Sequence, residues 1–126
     1  MRNILVADDH SASRYLIAEI LRGYATCEEA TDGMDALLKY LEHGDSYDML
    51  LLDIDMPKLD GLMVLKQIRL KEAFLEVPVP DRLPVIIMTG FPDRIQKGFE
   101  YGLSDYLVKP VSPDVLREKV QTFIKK

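Results

Sequence analysis

Short apolar blocks alternate along this chain with amphipathic stretches, and most of the blocks end on a polar residue. Asn3 to Ala7 is closed by Asp8-Asp9 and reads as a buried strand, since a strand covered on both faces shows an unbroken apolar run. A helix is predicted from Ser11, a candidate cap, through Tyr24, with Ala12, Leu16 and Ile20 on one row and Ile17 and Leu21 beside it. Ala25 to Ala30 reads as a further, less regular strand. Asp32-Gly33 turns the chain into a helix to about His43, with Leu37, Leu38 and Leu41 inward, and Gly44-Asp45 stops it.

Tyr47 to Leu52 is a fully apolar strand but for Asp48, ending at Asp53. A helix follows Asp60-Gly61, with Leu62, Leu65 and Ile68 on one face. The prolines in Val77 to Arg82 bar a helix there. Val85 to Met88 is another buried strand, Pro92 to Tyr101 a short helix, and Asp105 to Val108 a last strand. Pro113 to Ile124 is a last helix with Leu116, Val120 and Phe123 inward, and Lys125 and Lys126 suit its C-terminus. Strands and helices alternating in this way argue for an α/β domain, a parallel sheet with helices on both faces.

Composition narrows the function classes. The chain has 126 residues, the size of one domain, so residues 1–126 are expected to form a single unit. Hydrophobic residues at 48% and charged residues at 29% are those of a globular chain and exclude wholesale disorder. No apolar run is long enough to span a bilayer and no secretory leader is evident, so a cytoplasmic protein without membrane contact is expected. Cys27 is the one cysteine, which excludes an internal disulfide and a cysteine zinc cage. The net charge of −5 gives no reason for direct nucleic acid binding.

In an open α/β sheet, ligands bind beyond the carboxyl ends of the strands. Here those ends carry Asp8-Asp9, Asp53, Thr89 and Lys109. Each alone reads as a solvated loop acid, a strand-end threonine or a surface lysine; together they are a candidate site. Two carboxylates about 5 Å apart repel by roughly 3 kcal/mol at an effective dielectric near 20. Three would hold a proton or recruit a cation, and oxygen ligands with open positions suit Mg²⁺. With Lys109 opposite, the rim would accept a dianionic phosphoryl group, or one carboxylate would be a nucleophile forming an acyl phosphate.

These residues resemble the receiver domains of two-component response regulators, of which CheY is a familiar example. The resemblance runs from Ile4 to about Ile124. It is carried by Asp8-Asp9, by Asp53-Ile54-Asp55-Met56-Pro57-Lys58-Leu59-Asp60-Gly61, by Met88-Thr89-Gly90, by Asp105-Tyr106-Leu107-Val108-Lys109-Pro110, and by Ala30-Thr31-Asp32-Gly33 with Ala36-Leu37. It implies a flavodoxin-like fold with strand order 2-1-3-4-5; the chemotaxis regulator is a standard case of that order. It implies that Asp53 is the phosphoacceptor, served by a sensor histidine kinase or histidine phosphotransfer protein. Asp9 and Asp53 would ligate Mg²⁺ directly, Asp8 through water, and Asp55 through its backbone carbonyl. Thr89 and Lys109 would bind the phosphoryl oxygens, Lys109-Pro110 would be cis, and Tyr106 would swing inward as Thr89 moves, altering the face of the fourth helix, fifth strand and fifth helix. The output would be a downstream protein target or an output domain missing here, the chain being a stand-alone regulator or a piece of a larger protein.

The chain departs from the family pattern in places. Asp55 is an acid two residues past the phosphoacceptor, Phe91 is bulky two past Thr89, and both are placed to tune dephosphorylation. Thr89 to Lys109 is about two residues short, so the fourth helix should start late or be short, and Glu72 to Arg82 is long. Blander readings stand beside these: Met56-Pro57 as a turn shaper, His10 as an exposed helix start rather than a metal ligand beside the acid pair, His43 as a helix end, Cys27 as a small apolar filler, Tyr106 as a strand tyrosine. Glu28-Glu29 and Arg117 to Lys119 read as solvated surface. Two rivals remain: a receiver-like interaction module without phosphorylation, and a haloacid-dehalogenase-type phosphatase using Asp53 and Asp55. In the latter a Thr or Val follows the second acid by two residues; here that place is Pro57. No turnover of a separate substrate is expected.

Overall fold

A computed structural model describes residues 2–124. The strands are β1 (Arg2–Ala7), β2 (Ala25–Ala30), β3 (Met49–Asp53), β4 (Val85–Thr89) and β5 (Asp105–Val108). The helices are α1 (Ser11–Ile20), α2 (Gly33–His43), α3 (Gly61–Phe74), α4 (Gln96–Tyr101) and α5 (Pro113–Phe123). All four strand pairings are parallel, in the order β2-β1-β3-β4-β5, as the resemblance implied.

Alternate side chains of a strand point to opposite faces, so each apolar run feeds two cores. Leu5, Leu50, Leu52, Val85 and Ile87 pack with Ala36, Tyr40, Val64, Leu65 and Ile68 from α2 and α3. Ile4, Val6, Met49, Leu51, Ile86 and Met88 pack with Ile17, Ile20, Leu116 and Val120 from α1 and α5. The polar residues that end the strands are thereby left at one rim.

Several expectations are corrected. Helix α1 ends at Ile20 rather than Tyr24, because Gly23 takes φ +83° and turns the chain toward β2. Ser11 is not its cap; His10 holds that position without a side-chain bond. Ala12 and Leu16 are exposed, as are Leu38 and Leu41; α1 buries Ile17 and Ile20, while α2 turns Ala36, Leu37 and Tyr40 inward. Strand β3 begins at Met49, not Tyr47. Val79–Asp81 forms one 3-10 turn, which tolerates a proline at its start. Met56 is buried in the core, and Glu28, half-buried, accepts a hydrogen bond from the Tyr47 hydroxyl at 2.9 Å. The expected role of Lys125 and Lys126 lies outside the described residues.

The long connection before β4 is pinned by Glu72, which is buried and accepts from Arg69 at 2.6 Å and from the Leu83 backbone N–H at 2.7 Å. Pro92–Ile95 is a 3-10 turn and α4 is only six residues long, so the fourth helix is both late and short. Asp32, Asp60 and Ser112 cap α2, α3 and α5 through bonds to Asp35, Met63 and Val115 N–H groups. Gly61 is required by a close approach: a Cβ there would sit 2.3 Å from the Asp53 carbonyl oxygen, so the start of α3 lies directly on the backbone of Asp53.

Candidate functional site

Sheet register builds the site. Ala7 pairs with Leu52, so Asp8 and Asp53 emerge side by side from adjacent strands. Asp53 pairs with Met88 and Thr89 with Val108, which brings Thr89 and Lys109 to the same rim. The Lys109 N–H donates to the Thr89 carbonyl at 2.8 Å, and the Lys109-Pro110 peptide is cis. Asp8, Asp53 and Thr89 are all buried, an expensive placement for two carboxylates unless they are paired.

The pairing is with Lys109. Its amine donates to Asp8 Oδ2 at 2.8 Å and to Asp53 Oδ2 at 3.1 Å. The other Asp8 oxygen accepts from the His10 N–H at 2.9 Å, and the other Asp53 oxygen faces the Asp55 N–H at 3.4 Å. Arg14 anchors the end of β1 by donating to the Asp8 carbonyl at 2.7 Å and to Glu29 at 2.6 Å. Burial raises the Asp53 carboxyl above its ordinary value, against the pull of the lysine charge. At Lys109 burial works in the lowering direction, but the bonds and charges of Asp8 and Asp53 outweigh it and the amine is raised.

Asp9 reaches toward solvent next to this pair. One ligand atom each from Asp8, Asp9, His10 and Asp53 lies within 4.8 Å of the others, which fits a divalent cation. The acid set is hard and oxygen-rich, and the single imidazole sits at its edge, with Nδ1 3.1 Å from Asp9 and 3.4 Å from Asp8. His10, weighed from sequence as a metal ligand but read as an exposed helix start, is exposed at the cap of α1 and also stands in this cluster.

The remaining predicted residues are arranged around this centre. The Thr89 hydroxyl is engaged locally: it accepts from the Phe91 N–H at 2.9 Å and donates to the Phe91 carbonyl at 3.2 Å. The Phe91 ring is exposed. The exposed Asp55 carboxylate pairs with Arg94, a residue sequence reading did not single out. No pattern could reveal it, since the partners are 39 residues apart and meet only through the shortened turn after β4. Tyr106 is half-buried on β5, edge-on to Phe99 with centroids 6.0 Å apart, and Lys119 lies 5.9 Å from its ring centre.

Chemically, the rim offers a buried carboxylate, a fixed cation on its flank, further acids able to hold a metal, and a threonine hydroxyl one strand away. Among the described residues no helix is long and apolar enough to cross a membrane.

Comparison with known proteins agrees with this geometry. The family described as "Response regulator receiver domain" matches residues 4–121. The transcriptional regulatory protein ResD of Bacillus subtilis is 36% identical over 98% of this chain and 48% of its own length. A probable transcriptional regulator, ycf27 of Cyanidium caldarium, is 34% identical over 98% of this chain and 47% of its own. The chain thus spans about half the length of the curated relatives it matches. Among solved structures, the chemotaxis response regulator CheY4 of Vibrio cholerae superposes with a TM-score of 0.83 at 26% identity, covering 98% of this chain and 99% of that one. The receiver domain of the Saccharomyces cerevisiae response regulator Ssk1, in a co-crystal with the histidine phosphotransfer protein Ypd1, shares the fold at TM-score 0.84 and 22% identity, covering 97% and 88%. With sheet order, site and family match in agreement, the chain belongs to the response regulator receiver domains of two-component systems.

Proposed function

We propose that Asp53 accepts a phosphoryl group from a phosphohistidine and that the chain works as a Mg²⁺-dependent switch. The observation that carries this is the buried Asp53 carboxylate flanked at 3.1 Å by the Lys109 amine and bordered by Asp8 and Asp9. An Asp53 oxygen attacks phosphorus, the phosphorus–nitrogen bond to the donor imidazole breaks, and an acyl phosphate forms. Lys109, already on the Asp53 oxygen, is placed to neutralise charge on the transferred group. Bound Mg²⁺ would supply further neutralisation, held by Asp9, Asp53 and the Asp55 carbonyl, with Asp8 acting through water. Both Asp8 oxygens are already engaged, by Lys109 and by the His10 N–H, which supports an indirect role for Asp8.

Thr89 then leaves Phe91 to bond the phosphoryl group, Tyr106 turns inward, and the face of α4, β5 and α5 changes its affinity for a protein target or an attached output domain. The phosphodonor is a sensor histidine kinase or a histidine phosphotransfer protein; the complex of the Ssk1 receiver with Ypd1 supports the latter class. A cytoplasmic setting accompanies this function. The chain has no turnover substrate of its own. A phosphatase using Asp55 as general acid is disfavoured, because its carboxylate is tied to Arg94.

The test is incubation with Mg²⁺ and acetyl phosphate, read by mass. Wild type should gain one phosphoryl group and Asp53→Asn none, with no sustained hydrolysis of p-nitrophenyl phosphate. Equal labelling of the two proteins would refute the assignment, and sustained hydrolysis would support the phosphatase.

A further inference from the structure

A continuous path of bonds links Asp53 to Thr89 through Arg94. The Asp55 N–H faces Asp53 Oδ1, and the Asp55 carboxylate pairs with the Arg94 guanidinium. The Arg94 backbone N–H donates to the Phe91 carbonyl at 3.0 Å, closing the 3-10 turn Pro92–Ile95. Phe91 in turn holds the Thr89 hydroxyl through its N–H and carbonyl. Thr89 has one hydroxyl proton, so while that proton is directed at the Phe91 carbonyl it cannot be given to a phosphoryl oxygen. Arg94 therefore fastens the turn that occupies Thr89 to the loop that follows the phosphoacceptor.

We propose that Arg94 is a positioning residue, whose ion pair with Asp55 latches the turn after β4 in the conformation that keeps the Thr89 hydroxyl on the Phe91 backbone. This rests on the reading of Asp53 as phosphoacceptor and adds a restraint on its switch. The sequence supplies both halves where the family pattern is broken: an acid two residues past Asp53 and a shortened turn. The guanidinium and the carboxylate side chains are 42% and 47% exposed, so the restraint is modest and weakens with salt. Loss of an exposed pair shifts a population by about two- to fivefold.

Charge alone predicts the opposite effect from the latch. Removing a cation beside an acidic site should weaken binding of an anionic phosphoryl mimic. Removing a latch should tighten it, because the state that engages Thr89 becomes more populated.

Berylliofluoride affinity in Mg²⁺ should therefore be about two- to fivefold tighter for Arg94→Gln than for wild type. Arg94→Lys, which keeps the ion pair, should bind like wild type. In an Asp55→Asn background, Arg94→Gln should add nothing, since the latch is already open. Hydrogen exchange of the Phe91 amide, measured without ligand, should be faster in Arg94→Gln. Weaker or unchanged berylliofluoride binding by Arg94→Gln overturns the latch, as does an effect that persists beside Asp55→Asn. If wild type binds no berylliofluoride, the phosphoacceptor reading fails, and the latch is still decided by exchange at Phe91, where an unchanged rate overturns it.

Discussion

The Lys109 amine lies 3.1 Å from a carboxylate oxygen of Asp53, closing β5 onto β3 across 56 residues of chain. The same amine bonds Asp8 at 2.8 Å, so one cation neutralises two buried acids. Lys109→Met would leave those carboxylates facing each other. The metal-free variant should be less stable by about 2–4 kcal/mol, somewhat below the cost of breaking a fully buried pair because the lysine keeps some exposure. Urea melts in chelator measure this, and Asp8→Asn should recover part of the loss. A variant as stable as wild type would show that the amine is not what holds these acids.

Asp53 makes the pH behaviour unusual for an ion-paired acid. Its carboxyl is raised by burial despite Lys109 and its second bond, so the fold favours the protonated form. Its contribution is most favourable below the unfolded-chain pKa of about 3.9 and is lost as pH rises through the folded value. Metal-free Asp53→Asn should therefore melt above wild type at pH 7, and the gap should narrow as pH falls toward about 4. A variant that melts lower at neutral pH would mean that the bond to Lys109 outweighs burial.

The acid cluster couples metal to stability. Mg²⁺ held by the folded site and not by the unfolded chain should add about 2.7 kcal/mol at about 100 times its dissociation constant. Asp9→Asn should weaken that response and leave the metal-free protein at least as stable as wild type, since Asp9 adds charge to a self-repelling group and, among the described residues, its one ion-pair partner is the exposed His10 imidazole. Calorimetric melts with and without Mg²⁺ decide it; an unchanged wild-type melting temperature at millimolar Mg²⁺ would remove the metal site.

Strand positions were legible from the sequence because a sheet covered on both faces writes itself as apolar runs, and Asp53 and Thr89 were legible as the polar residues that end those runs. Strand order was not, since periodicity carries no neighbour information; it came with the resemblance. The inward row of α2 was not legible, because apolar patterning ranks leucine above smaller or polar-tipped residues, whereas in the first helical stretch Ile17, Ile20 and Leu21 are buried as read and Ala12 and Leu16 face solvent. Ala36 and Tyr40 are the buried positions of α2, while Leu38 and Leu41 face solvent. Arg94 was not legible for a different reason. It acts through a partner that only the folded chain brings near, Asp55 from another loop.

Signal lifetime is where the departures should show. Loss of the phosphoryl group needs water to approach Asp53 past the residues just beyond it and just beyond Thr89. Phe91 lies two residues past Thr89 with an exposed ring, an apolar group available to cover that approach. Asp55 could instead orient the water as a general base, a role worth about 10²-fold or more. Its carboxylate, however, is already engaged by Arg94, which opposes that role. Phe91→Ala should therefore lose its phosphoryl group faster than wild type, and Asp55→Asn should slow the loss by much less than about 100-fold. Decay of the phosphorylated form after removal of acetyl phosphate gives both rates. A Phe91→Ala protein that decays no faster than wild type would refute shielding, and a much slower Asp55→Asn would identify Asp55 as the group that drives hydrolysis.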